Sequence, residues 1–146
     1  MSEQPRPKDA GRATAPRPIP DPDAASAPFW EAAARHELLV QRCAGCGEFR
    51  HPPRPMCPRC SSFEHTWERA SGRARVWSWV VAHNPVLPAF ADRVPYNVVV
   101  VELDEGVRMI GNLLDVPVDQ ISDGMKVVVD FEDVEDGVAL PAWRCV

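Results

Sequence analysis

The chain has 146 residues, 45% of them hydrophobic and 25% charged, which suits a globular protein with one modest core. No apolar run reaches the roughly 18 residues of a membrane span, and the N-terminus carries Pro and charges in place of a signal peptide's apolar stretch. The net charge of −5 is unevenly placed: zero over residues 1–28, +3 over 29–75 and −8 over 76–146. Polyanions are therefore poor ligands for the C-terminal half, and a cytoplasmic location is expected.

Residues 1–27 are expected to be a disordered tail or linker. Seven of the sixteen prolines fall within residues 1–28, among charged and small residues, and only Ile19 is suited to a core. A helix is predicted over 28–37 (PFWEAAARHE), with Pro28 in its first turn and Glu31 near the positive N-terminal end. Phe29 and Ala33 share one face of it, with Trp30 alongside, and a helix this short needs packing against its own domain or a partner.

Leu38 to Arg42 is predicted to run as a strand into a cysteine cluster, and Thr66 to Glu68 to return from it. From Arg73 onward the pattern is β. Arg73 to His83 alternates, with Trp77, Trp79 and Val81 expected on one face. Residues 84–95 form a Pro-rich loop carrying Val86, Leu87, Phe90 and Val94. Tyr96 to Leu103 and Val107 to Leu114 are strands joined by the Asp104-Glu105-Gly106 turn. One helical turn over Val116 to Ile121 precedes the strands Lys126 to Asp133 and Val138 to Arg144. Five strands with that helix position describe an OB-fold barrel, with an SH3-like barrel as the competitor. The expected organisation is helix plus cysteine-bearing ribbon at 28–70 and barrel at 71–146. Trp79, Val98, Val100, Ile110, Val129 and Phe131 are the candidate core of the barrel.

The chemistry is concentrated in two pairs, Cys43-Ala44-Gly45-Cys46 and Cys57-Pro58-Arg59-Cys60. Two such pairs on facing knuckles bring four thiolates to the corners of a tetrahedron, and Gly45 and Gly47 let the backbone turn tightly. Zinc is the expected ion, one per chain, and iron fits the same four sulfurs. Four thiolates leave no open position, so the site is structural. Disulfides suit secreted chains, and a redox pair normally occurs once beside a βαβ unit. Cys145 lies far from the cluster.

No catalytic residue set is predicted. There is no GxSxG elbow, Gly-rich phosphate loop or HExxH. His51 lies within the ribbon loop, near a ligand set that four cysteines already complete. His83 is the one candidate general base, and a plain strand-end histidine reads the same way. Loop 84–95 is long enough to be functional, and its apolar, Pro-stiffened make-up suits a protein or an acyl chain better than phosphates; folding back over a barrel end is the alternative.

Several short motifs resemble one family. They are Phe29-Trp30-Glu31, Leu38 to Cys43, Cys46-Gly47, Pro52 to Pro55, Cys57-Pro58-x-Cys60, Ser71-Gly72-Arg73, Val94-Pro95-Tyr96, Val101 to Gly106 and Phe131-Glu132-Asp133. In this order, over residues 29–146, they resemble the acyl-CoA-associated proteins in which a rubredoxin-like zinc ribbon precedes an OB-fold. The resemblance implies a non-catalytic accessory subunit of a thiolase-fold acyl-CoA enzyme. Members of the family accompany acetoacetyl-CoA thiolases as well as the lipid-transfer-protein-type aldolases of steroid side-chain degradation, and the resemblance favours the aldolase. In such systems a similar domain can follow a hotdog-type hydratase domain through a linker, and residues 1–28 resemble such a linker.

The expected partner is that enzyme, as a hetero-oligomer of two plus two chains. The contacts expected on this side are Phe29, Trp30, Pro53, Leu87 and Phe90. Arg50, Arg54 and Arg59 are candidates for the phosphates of an acyl-CoA, which also leaves open a free-standing acyl-CoA-binding protein. Ribbons and OB barrels also bind nucleic acid elsewhere, with Trp77 and Trp79 as a stacking platform. The barrel's −8 charge argues against that class.

Overall fold

The computed structural model describes residues 15–85 and 87–146. The first fourteen residues of the Pro-rich head, and Val86 of loop 84–95, lie outside the described residues. Residues 15–26 are without helix or strand and lie against the barrel: the Arg17 guanidinium donates to Glu132 Oε1 at 2.6 Å and sits 5.9 Å from the Phe90 ring centroid.

Helix α1 (Ala27–Ala33) begins at Ser26, with Pro in its first turn, and buries Phe29, Ala32 and Ala33. It is shorter than predicted. His36 takes a left-handed backbone (φ 58°), and the Glu37 amide donates back to the Ala32 carbonyl, which closes the helix. His36 is then held outside the helix by a stack on Phe131 at 5.3 Å and a 2.8 Å contact with Asp133. Tertiary contacts with the barrel thus override the helix propensity of 34–37.

The ribbon is a three-stranded antiparallel sheet in the order β2-β1-β3, from β1 (Leu39–Cys43), β2 (Phe49–Arg50) and β3 (His65–Arg69). The barrel follows, with β4 (Arg73–Ala82), β5 (Tyr96–Leu103), β6 (Arg108–Gly111), β7 (Leu113–Leu114), β8 (Lys126–Glu135) and β9 (Val138–Cys145). Their order is β6-β5-β4-β8-β9-β7. The predicted third strand is split at Asn112 into β6, which pairs with β5, and β7, which pairs parallel to β9. Because these are two halves of one chain segment, the sheet closes on itself as an OB barrel. A single 3-10 turn (Val118–Gln120) occupies the predicted helical position. Among the described residues no helix is long and apolar enough to cross a membrane.

The core corrects the predicted residue list. Trp143, Val76, Val99, Val101 and Val127 are almost wholly buried, with Met109 and Leu113 beside them. Trp79, Val129 and Phe131 pack on this core while partly exposed. Val98 and Val100 are only half-buried, and Ile110 is 66% exposed. In β5 the side chains of Asn97, Val99, Val101 and Leu103 point inward. Valines on both faces conceal that phase, and the pairing of Val101 with Met109 carries it into β6. In β4 a bulge between Val76 and Ser78 breaks the alternation. Trp77 is therefore half exposed while Val76 is buried, instead of sharing an inner face with Trp79. The same core continues into Phe29, Leu38 and Val40, so helix, ribbon and barrel are packed as one body.

Candidate metal centre and surrounding surfaces

Each half of the cysteine cluster is a knuckle closed by its own backbone. The Gly47 amide donates to the Cys43 carbonyl at 2.9 Å, and the Ser61 amide to the Cys57 carbonyl at 2.9 Å. Both donors adopt left-handed backbone, with φ of 75° at Gly47 and 62° at Ser61. At Gly45 the requirement is space: a Cβ there would stand 3.2 Å from Cys60 Sγ.

The four sulfurs of Cys43, Cys46, Cys57 and Cys60 all lie within 4.8 Å of one another. Cys43 and Cys60 are 3.5 Å apart and Cys46 and Cys57 3.7 Å, too far for disulfides. Tetrahedral zinc with bonds of about 2.3 Å requires sulfurs about 3.8 Å apart, so the donor set fits the ion. The local electrostatics agree. The Cys46 amide, ahead of other hydrogen bonds, lowers the Cys43 thiol to about 6. The Cys60 and Arg59 amides lower Cys57. At Cys60 the Ser62 amide also lowers the pKa, but the neighbouring sulfurs and burial outweigh it and push the thiol up to about 11. Four clustered thiols cannot all ionise without a cation among them. The site is a structural zinc centre: the ion would cross-link β1 to the segment before β3, and the closed shell leaves no position for a substrate.

His51 lies apart from these ligands, 5.2 Å from the Phe29 ring, and burial lowers its pKa to about 4. His83 is exposed just beyond β4, and Cys145 is exposed at the end of β9, away from the metal cluster.

The three ribbon arginines have different environments. Arg50 is buried and donates to Gln41 Oε1 at 2.8 Å and to the Arg54 carbonyl at 3.0 Å. Arg54 is exposed and lines the same cleft as Arg50, whereas Arg59 is ion-paired with Glu48. Of the residues expected at a partner surface, Phe29 is only 4% exposed and is engaged in holding α1 on the core. Trp30 is half-buried, in a cleft with Pro20, Pro22 and Val138. Pro53 is half-buried, and Phe90 packs on Tyr96 at 5.5 Å. Leu87 is 43% exposed.

An apolar surface that alternation alone misses lies on the outer face of β4, β5 and β6. Val80 and Ile110 are 64% and 66% exposed there, and Trp77 stands at its edge. Val100 connects them, opposite Ser78 on one side and Ile110 on the other. The pairing register, which places Ile110 beside Val100 and Met109 inside, is the signal that reveals this surface.

Two family models match the chain: "ChsH2, rubredoxin-like zinc ribbon domain" over residues 30–66 and "ChsH2, C-terminal OB-fold domain" over residues 67–132. The "Probable enoyl-CoA hydratase alpha subunit" of Thermomonospora curvata is 44% identical over 91% of this chain and 40% of its own length. The "3-oxo-4,17-pregnadiene-20-carboxyl-CoA hydratase alpha subunit" of Mycobacterium tuberculosis is 38% identical over 85% of this chain and 41% of its own. The chain thus spans about two fifths of these relatives. A "DUF35 domain-containing scaffold protein" of Methanocaldococcus jannaschii is 35% identical over 75% of this chain and 81% of its own length. Among solved structures, a chain of the "Ltp2-ChsH2(DUF35) aldolase" superposes with a TM-score of 0.80 at 42% identity, covering 86% of this chain and 98% of that one.

Proposed function

Because the chain belongs to the DUF35 family of zinc ribbon and OB-fold proteins, we propose that it is the non-catalytic subunit of an acyl-CoA aldolase complex. Its partner is a thiolase-fold, lipid-transfer-protein-type aldolase, and the substrates are steroid acyl-CoA thioesters. The observation that carries this reading is the likeness to the Ltp2-ChsH2(DUF35) aldolase chain, which extends over 98% of that chain. The steroid assignment is supported by the name of the Mycobacterium tuberculosis relative. The hydratase activity in the names of the longer relatives belongs to proteins of which this chain matches two fifths, so hydration is not assigned to it.

The chemistry of the chain suits a scaffold. Its metal set is closed, and its one candidate base, His83, is exposed at a strand end. The outer face around Val80 and Ile110, with Leu87 on the neighbouring loop, offers apolar area of the kind that marks protein interfaces. Thiolase-fold enzymes are commonly dimers, so two copies of this chain flank one partner dimer. Co-expression with such an aldolase, followed by size-exclusion chromatography and a retro-aldol assay, tests the proposal. The expected result is a stable complex whose activity exceeds that of the aldolase alone. A partner that neither co-elutes nor gains activity overturns it.

A further inference from the structure

Four prolines alternate through residues 15–22 (APRPIPDP), and their fixed backbone angles favour an extended chain with three residues per turn. Residues three apart then share a side. Arg17 and Pro20 are half-buried in this way, whereas Pro16, Pro18, Ile19 and Asp21 are exposed. The segment is tied into α1 at its far end. Asp23 Oδ1 accepts from the Ser26 amide at 2.8 Å and from its hydroxyl at 2.6 Å, and the Asp23 amide donates to Ser26 Oγ at 3.1 Å. Between the two ends, Pro20 and Pro22 line a small cleft with Trp30 and Val138.

Arg17 is the other anchor, and it meets the loop before β5. Glu132 Oε1, on β8, accepts from Arg17 Nη1 at 2.6 Å and from Arg93 Nη1 at 3.4 Å. The Arg17 side chain is 16% exposed, against 49% for Arg93, so the first of these ion pairs is the better shielded from water. Phe90 touches the same group: the Arg17 guanidinium stands 5.9 Å from its ring and the Tyr96 ring 5.5 Å away. This support matters because none of residues 87–95 is buried. Their internal hydrogen bonds run from the amides of Phe90, Ala91 and Arg93 to the carbonyls of Leu87, Pro88 and Phe90. Bonds of that span make about one 3-10 turn, which does not persist without tertiary contacts.

We propose that residues 17–22 are a latch that holds residues 87–95 on the barrel and thereby sets Leu87 in the form that meets the partner. The prolines restrict the segment before it docks, so ordering it costs little, and the charge-assisted pair of Arg17 with Glu132 closes it. Leu87 follows the latch because its carbonyl accepts from the Phe90 amide at 3.0 Å, while its side chain stays 43% exposed. Arg17 and Glu132 are positioning residues in this arrangement. The part of the proposal that concerns the partner rests on the function proposed above.

Amide hydrogen exchange on the purified zinc-loaded chain tests the latch without any partner. Arg17→Ala is expected to speed exchange at Phe90, Ala91 and Arg93 at least fivefold, with the amides of β5 and the zinc content unchanged. Glu132→Gln should do the same, and the double variant should exchange no faster than the faster single one, because both changes open one contact. Arg17→Ala should also weaken the aldolase complex at least threefold although Leu87 is intact. Unchanged exchange at the three amides, or independent effects of the two substitutions, overturns the latch. Faster exchange with undiminished affinity for the aldolase overturns its role in docking. If the unaltered chain forms no aldolase complex, the function proposed above fails, while the exchange rates still decide whether the latch exists.

Discussion

Asn97 uses its side-chain amide to make the two hydrogen bonds with Leu113 that a neighbouring strand would otherwise supply. Nδ2 donates to the Leu113 carbonyl at 2.8 Å, and Oδ1 accepts from the Leu113 amide at 2.6 Å. Leu113 is the first residue of β7, just after the break at Asn112 where the strand leaves β5 to join β9. Asn97 thereby joins the two parts of the barrel at the point where backbone pairing lapses.

Asn97→Leu should therefore leave two buried backbone groups without partners. At about 1–3 kcal/mol for each unsatisfied group, the expected loss is about 2–6 kcal/mol. Urea denaturation is the measurement, with the zinc content expected to stay unchanged.

Gly111 faces the buried indole of Trp143. A Cβ at Gly111 would stand 2.7 Å from Trp143 Nε1 and 3.0 Å from the Pro141 carbonyl oxygen. Trp143 is fully buried and β9 is paired on both sides, so neither neighbour has room to retreat. Gly111→Ala is expected to destabilise the barrel by about 1–3 kcal/mol, read as a lower denaturation midpoint.

Loss of the metal should unfold the ribbon first. Cys43→Ser or Cys57→Ser removes a buried ligand, and the protein should then purify without stoichiometric zinc. Elemental analysis and protease sensitivity around residues 43–60 check this. Because Leu38 and Val40 belong to the shared core, the barrel is expected to lose stability as well.

Acid should act through His51. Burial lowers its pKa from 6.5 to about 4, so the folded protein keeps it neutral while the unfolded chain takes up a proton. The unfolded state binds more protons over that range, and stability is expected to fall as pH drops from about 6.5 toward 4. His51→Gln should flatten this slope in denaturation curves recorded at pH values where zinc remains bound.

Ile110→Asp and Leu87→Asp place charges on side chains that are 66% and 43% exposed. If the outer face of β4 to β6 docks the aldolase, each variant should weaken complex formation by about tenfold or more, or about 1.4 kcal/mol, without shifting the thermal midpoint. Analytical ultracentrifugation of mixtures with the partner provides the measurement. Normal assembly by both variants would move the docking surface elsewhere on the chain.

The features legible in the sequence alone are those closed over a few residues. The metal set follows from two Cys-x-x-Cys knuckles, each completed by a hydrogen bond spanning four residues. The β5–β6 hairpin follows from a turn that closes locally, through the bond from the Gly106 amide to the Leu103 carbonyl, whereas the pairings of β4 with β8 and of β7 with β9 do not. Only the tertiary structure decided which valines of β5 face inward, because valine occupies both faces and the phase is transmitted from Met109 across the ladder. It also placed Trp77 outside the barrel through a bulge that appears only when β4 pairs with β5. The cleft that joins Arg50 and Arg54 to Arg108 was likewise invisible, since residues some fifty positions apart meet only once ribbon and barrel share a core. Local hydrogen bonding is written in neighbouring residues, whereas register and interdomain packing arise from contacts distant in the chain.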